Sequence, residues 1–160
     1  MARRLEEQIH QRRPFESPAE ESYLNLQRSA GLLLQSLAQL LRSEGPGAGL
    51  SPVQYNALRI LRGAHPDSLP CGEVGARLVT PGPDVTRLLD RLDARGLTSR
   101  ERDPEDRRVV RARITEEGLA ALAAVDESLR GWLDATLGHL SEEEHRTLST
   151  LLEVARNRLE

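Results

Sequence analysis

Apolar residues recur along this chain at spacings of three and four, interrupted by clusters of glycine and proline. Tyr23, Leu26, Ala30, Leu33, Leu37 and Leu40 form one stripe. Leu119, Leu122, Val125, Leu129, Trp132 or Leu133, Leu137 and Leu140 form a second, and Leu148, Leu151, Leu152, Ala155 and Leu159 a third. Each pattern predicts an amphipathic helix. Ser17-Pro18-Ala19-Glu20, Ser51-Pro52-Val53-Gln54 and Ser141 to Glu144 read as capping boxes, and Thr115 as a helix cap. The second box opens a helix through Arg62. Gly45 to Gly49 form a breaker, Gly63 to Pro70 a loop, Cys71 to Val79 a short helix and Thr80 to Pro83 a turn.

From Asp84 to Gly118 the pattern changes. Val85, Leu88, Leu89 and Leu92 put an apolar stripe on a short helix, and Arg87 points almost directly away from it. Gly96 ends that helix, because glycine takes the left-handed conformation without strain. A strand follows. After it come the turn-forming residues Asp103 to Arg108 (DPEDRR) and a second strand. On that strand Val110, Ala112 and Ile114 share one face, and Val109, Arg111 and Arg113 the other. Arg107 and Arg108 fall near the hairpin tip, where a long cationic side chain can enter a narrow minor groove. A helix followed by an arginine-bearing β-hairpin wing points to double-stranded DNA rather than to catalysis.

Four segments in this order resemble the signatures of the MarR family of bacterial winged helix-turn-helix regulators. They are Gln54 to Leu61 (QYNALRIL), Val85 to Leu97 (VTRLLDRLDARGL), DPEDRR, and Ile114 to Gly118 (ITEEG). The resemblance runs from about Tyr23 to the C-terminus. It implies a mostly α fold: a winged helix-turn-helix with a small β-hairpin wing, plus N- and C-terminal helices forming a dimerisation region. On that plan residues 17–44 and 116–160 supply the dimerisation helices, 51–115 the DNA-binding lobe and 1–16 an N-terminal arm. The resemblance further implies a homodimer on a pseudo-palindromic operator, usually a repressor, often released by a small molecule or an oxidant. Effectors of such proteins commonly bind between the dimer helices and the DNA-binding lobe. A two-fold dimer would set its DNA-reading helices about 10 bp apart.

Composition alters this picture little. The 160 residues amount to one domain, with 38% hydrophobic and 29% charged residues. No apolar run is long enough to span a bilayer, and the N-terminal arginines precede no hydrophobic segment, so a cytoplasmic protein is expected. The net charge of −3 does not announce a nucleic-acid binder, but from Arg87 to Arg113 nine arginines face six acids. The DNA-reading segment has no aromatic residue, which argues against single strands.

The candidate DNA contacts are Thr86 and Arg87 on the helix, with Asp84, Arg91 and Arg95 secondary. Asp84 could accept from cytosine N4, but the favoured reading is that it stabilises the helix N-terminus. Arg91 could reach phosphate or only pair with Asp90 or Asp93. In the wing, Arg107, Arg108, Arg111 and Arg113 are candidates. Arg108 matches the family arginine that enters the minor groove, with Asp106 orienting it. Pro81, Gly82, Pro83 and Asp84 stand where the family usually offers small polar residues. That departure keeps open a protein-interaction adaptor that no longer reads DNA. The pairs Arg3-Arg4 and Arg12-Arg13 read as a solvated tail.

The signal is less legible. Cys71, the only cysteine, opens a helix whose dipole lowers a thiol pKa, which makes it a redox candidate beside the commoner reading of an inert core residue. His10, His65, His139 and His145 lack metal-ligand spacing, and no cofactor or metal is expected. No nucleophile elbow, zinc-binding helix or phosphate loop points to an enzyme.

Overall fold

The computed structural model describes residues 3–43, 49–82 and 84–159. The chain forms α1 (Leu5–Gln8), α2 (Pro18–Ser43), α3 (Pro52–Ala64), β1 (Leu69–Pro70), α4 (Cys71–Ala76) and α5 (Val85–Asp93). These are followed by β2 (Thr98–Arg102), β3 (Val110–Ile114), α6 (Glu116–Leu137) and α7 (Glu142–Arg156). Most of the predicted breaker and Pro83 lie outside the described residues.

The helix starts follow the capping chemistry. The Gln54 amide donates to the Ser51 hydroxyl at 3.3 Å, and the Ser51 amide donates to the Gln54 side chain at 2.9 Å. Ser141 and Glu144 repeat this exchange. At Ser17 the box is altered. The Glu20 amide donates to Ser17, but the Glu20 carboxylate accepts from the Glu16 amide, one residue further back. The Thr115 hydroxyl accepts from the Gly118 amide at 3.1 Å and donates to the Gly96 carbonyl at 2.6 Å. One oxygen thus caps α6 and ties down the chain leaving α5.

The wing is larger than the hairpin expected. It is a three-stranded antiparallel sheet in the order β1-β3-β2. Leu69 and Pro70, read in sequence as loop, pair with Ala112 and Arg111. Two residues show no alternation, and proline at a strand edge gives no β signal. The main pairing sets Thr98 opposite Ile114, Arg100 opposite Ala112 and Arg102 opposite Val110.

The core lies under this sheet. Leu58 and Leu61 of α3, Val74 of α4, Leu89 and Leu92 of α5, and Leu122 and Val125 of α6 are fully buried, joined by Leu41 and Leu50. Burying each such side chain stabilises the fold by about 1.5–3 kcal/mol before chain entropy is counted. Gly118 lets α6 approach the wing, since a methyl there would overlap the Leu97 carbonyl and sit 2.7 Å from Cγ1 of Ile114. Gly75 does the same for α4 and α5, with a methyl falling 2.7 Å from Cγ2 of Val85.

The outer helices are different. Tyr23 and Leu26 of α2, Leu133 of α6, and Leu148, Leu151 and Val154 of α7 are exposed, and α7 buries no residue. Their stripes are helical, as predicted, but the chain covers them only in part: Leu122 and Val125 of α6 are buried, whereas nothing in α7 is. At the start of the chain, α1 was not expected. Leu5 is buried and Arg28 of α2 donates to Gln8 at 3.1 Å, so α1 is docked, while Arg3, Arg4, Arg12 and Arg13 on either side of it are exposed.

Candidate nucleic-acid interface

Helix α5 is set by its two ends. Asp84 is its N-cap, with the carboxylate accepting from the Arg87 amide at 3.1 Å. At the other end Gly96 takes φ +70°, and the Leu97 amide reaches back to the Leu92 carbonyl at 3.0 Å. Leu88, Leu89 and Leu92 face the core. Thr86, Arg87 and Arg91 are therefore driven outward, and all three are exposed. The loop entering α5 is anchored separately: the Val79 amide donates to the Asn56 side chain of α3 at 2.9 Å.

The arginines of this region divide by what they touch. The Arg87 side chain is 77% exposed, with a loose pair to Asp84 through Nε at 3.3 Å. Such an exposed pair contributes at most about 1 kcal/mol and can be exchanged for a phosphate. Arg91 has no ion-pair partner among the described residues. The pairing to Asp90 or Asp93 considered for it does not form, because both acids are taken by Arg100 of β2. Arg95 donates to the Gly49 carbonyl.

At the wing tip, Arg107 and Arg108 are exposed. Asp106 does not pair with the Arg108 guanidinium. It accepts from the Arg108 amide at 2.9 Å, which fixes the backbone of the tip. Asp103 is the hub of the turn. It accepts from the amides of Glu105 and Asp106, and these two bonds, with Arg111 adding its charge, hold its carboxyl below the usual aspartate range. Arg102 closes the turn by donating to the Arg107 carbonyl at 3.1 Å.

Arg111 and Arg113, expected to offer charge to a polyanion, are engaged within the sheet. Arg111 lies opposite Glu101 but pairs diagonally with Asp103 at 3.1 Å. Arg113 lies opposite Ser99 but pairs diagonally with Glu101. Diagonal neighbours on one face are within reach of long side chains. Arg111 also donates to Ser68, leaving its side chain 28% exposed.

Asn56, Arg100, Arg102 and Asp103 are the organising residues that sequence reading missed. For Asp103 the turn itself was expected from DPEDRR, but its carboxylate as the acceptor that organises that turn was not singled out. The alternation Thr98, Arg100, Arg102 could have flagged an arginine on an inward face.

Cys71 is half-buried at the start of α4. Burial pushes its thiol up from the ordinary value, with the charge of Arg100 only partly opposing this. This runs against the lowering expected from a helix start, and α4, with six residues, is a short dipole. Among the described residues no cluster could hold a metal ion, and no helix is long and apolar enough to cross a membrane.

Two adjoining cavities, of about 170 and 370 Å³, share Leu37 of α2 with Tyr55 and Arg59 of α3. The smaller reaches Val79 and Thr80 in the loop before α5, and the larger reaches Asp126 and Trp132 of α6. Arg59 lies over the Tyr55 ring, 5.9 Å from its centroid. Burial raises the Tyr55 pKa despite the nearby Arg59 and Arg62, so its hydroxyl stays protonated.

A model of the MarR family matches residues 48–109. The HTH-type transcriptional regulator MhqR of Bacillus subtilis is 30% identical over 104 residues, which cover 65% of this chain and 70% of that protein. A MarR transcription factor from Planctomyces limnophilus is 39% identical, with a TM-score of 0.64 over 88% of this chain and 99% of that one. A MarR family regulator from Streptomyces coelicolor, solved in complex with DNA, superimposes with a TM-score of 0.80 over 91% of this chain and 94% of that one. At 21% identity that last likeness is one of fold.

Proposed function

We propose, on the premise that this chain belongs to the MarR family of transcriptional regulators, that it is a homodimeric repressor of a pseudo-palindromic operator. The observation that carries the reading is the division of its arginines. Arg87 and Arg91 on α5, and Arg107 and Arg108 at the wing tip, stay exposed, with no ion pair among the described residues beyond the loose Arg87–Asp84 one, whereas Arg100 and Arg111 are half-buried against acids and the exposed Arg113 is held by Glu101. An ordered surface with cationic side chains at two separated points suits a helix in the major groove and a wing in the minor groove. In this reading Thr86 and Arg87 face bases or adjacent phosphates, Arg91 and Arg107 hold phosphate, and Arg108 enters the minor groove. Asp84 and Asp106 shape the backbone that presents them.

The uncovered apolar faces of α2, α6 and α7 support the dimer. Exposed Tyr23, Leu26, Leu133, Leu148, Leu151 and Val154 lie on helices from both ends of the chain, more large apolar side chains than one chain covers. The paired cavities beside Arg59 support a small-molecule effector, because the walls that would touch it include the loop anchored by Asn56.

The test is a footprint on the DNA upstream of the protein's own gene, across salt concentrations, with the oligomeric state measured by sedimentation. A protected pseudo-palindrome bound by a dimer, with affinity falling steeply with salt, supports the reading. Weak binding indifferent to sequence on every duplex tried, including those from a genome-wide selection, overturns it in favour of a winged protein-interaction adaptor.

A further inference from the structure

Arg100 occupies a position on β2 where an apolar residue belongs. In the strand register it lies opposite Ala112, on the same face as Thr98, and Thr98, Ala112 and Ile114 are all buried. Strand alternation therefore turns the Arg100 side chain toward the helices, and it is only 24% exposed. Its Nε is buried with no hydrogen-bond partner among the described residues. Its Nη2 is 2.6 Å from Oδ1 of Asp90 and 3.4 Å from Oδ2 of Asp93.

Those two acids stand three residues apart on α5, on one flank of the helix and about one turn apart along it. They stand beside Arg87 and Arg91, the charges offered to DNA. Leu88, Leu89 and Leu92 keep α5 on the core, but hydrophobic burial is non-directional and fixes the rotation of a nine-residue helix only loosely. Two ionic contacts a turn apart are directional. A roll of about 10° moves a group at the ~6 Å outer radius of a helix by about 1 Å. That exceeds the roughly 0.5 Å within which a recognition constellation must be held.

We propose that Arg100 is a positioning residue for DNA reading: by gripping Asp90 and Asp93 together from the wing, it sets the rotation of α5 and hence the direction in which Thr86 and Arg87 point. The proposal rests on the reading of α5 as the DNA-reading helix. Arg100 itself contacts no DNA. It couples the sheet to the helix, so that wing and helix present one rigid footprint.

Electrostatics alone predicts the opposite sign for part of this arrangement, which makes it testable. Asp90 is an acid on the DNA-facing lobe, so its removal should strengthen binding if charge were all that mattered. The experiment compares the unmodified protein, Arg100→Gln and Asp90→Ala on the duplex that the unmodified protein enriches from random sequence, and on an unrelated duplex of equal length. A salt series is run for each, and thermal melts establish folding. The expected result is a loss of about tenfold or more on the selected duplex for both variants, the size of a lost base-pair contact. Affinity for the unrelated duplex and the salt slope stay unchanged. Asp90→Ala favours the helix and keeps the fold where Arg100→Gln does not.

Asp90→Ala binding as tightly as the unmodified protein, or more tightly, overturns the proposal. So does an equal loss on both duplexes with a shallower salt slope for Arg100→Gln, which would make Arg100 a phosphate contact. Failure of the unmodified protein to enrich any duplex is visible before any variant is made. It removes the DNA-reading premise itself, and the proposal with it.

Discussion

Arg111 donates from Nε to the Ser68 hydroxyl at 2.8 Å and from Nη2 to the Ser68 carbonyl, so a single guanidinium holds two atoms of a residue just before β1. Its third arm reaches Asp103 at 3.1 Å. Both wing edges are therefore fixed through one side chain. Arg111→Ala is expected to lower unfolding free energy by about 1–3 kcal/mol in a denaturant melt, the cost of leaving charge-assisted partners unmet. Arg111→Lys recovers less than half, because an ammonium cannot fork between Ser68 and Asp103. An Arg111→Ala protein that melts normally and loses only DNA affinity would instead make Arg111 a DNA contact.

Arg108 should behave in the reverse way. Its side chain is exposed, and only its amide is bound, by Asp106. Arg108→Ala is expected to leave stability within about 0.5 kcal/mol. Its effect falls on operator affinity, and the size of that loss depends on the sequence under the wing. A loss identical on every duplex reduces Arg108 to a phosphate contact, and no loss removes it from the interface.

Gly118→Ala tests the approach of α6 to the wing. Alanine in a helix is ordinarily favoured over glycine by about 1 kcal/mol. Here the methyl would meet the Leu97 carbonyl and Ile114, so the expected change is a destabilisation of about 1–3 kcal/mol. A stabilised variant would show that the contact relaxes freely.

Asp103 gives the wing turn a pH dependence of definite sign. Its carboxyl titrates below the ordinary 3.8 because the Glu105 and Asp106 amides, and then Arg111, favour the charged form. A depressed carboxylate contributes stability that is fully present above the unfolded pKa and is lost as pH falls through the folded one. Protection of the Glu105 and Asp106 amides should therefore hold from neutrality down to about pH 4 and collapse below it. In Asp103→Asn the amides should exchange faster at neutrality. Collapse well above pH 4 would assign the turn to another group.

Cys71 should be sluggish. With its thiol raised by burial, alkylation at pH 7–8 is expected to be slower than for a free cysteine. Peroxide at levels that oxidise exposed thiolates should leave DNA affinity unchanged. Rapid alkylation together with loss of binding in peroxide would restore the oxidant-sensor reading.

The helices were legible because the information that makes them is local. Capping residues and three-four spacing lie within a few residues of each other, and Asp84, Gly96 and Thr115 perform in space the roles their chemistry suggests. The arginines were not legible in the same way. The sequence places Arg87, Arg108, Arg111 and Arg113 on faces and turns but does not say which of them an acid holds. What separates them is strand register, which places Arg111 on Asp103, Arg113 on Glu101, and Arg100 beneath the sheet on Asp90 and Asp93. Strand β1 was hidden for the same reason, since only its pairing with β3 makes Leu69 and Pro70 a strand. The apolar faces of α2 and α7 were legible as faces. What would cover them lies outside the local pattern that makes a helix.

The Thr115 hydroxyl, which caps α6 and holds the Gly96 carbonyl, joins the start of α6 to the exit of α5. A hinge needs residues that can change dihedral angles without breaking bonds. Here the first turn of α6 and the exit of α5 meet at one oxygen, with Gly118 pressed against Leu97 beside it. A tilt imposed on α6 would have to break the Thr115–Gly96 bond or carry the end of α5 with it.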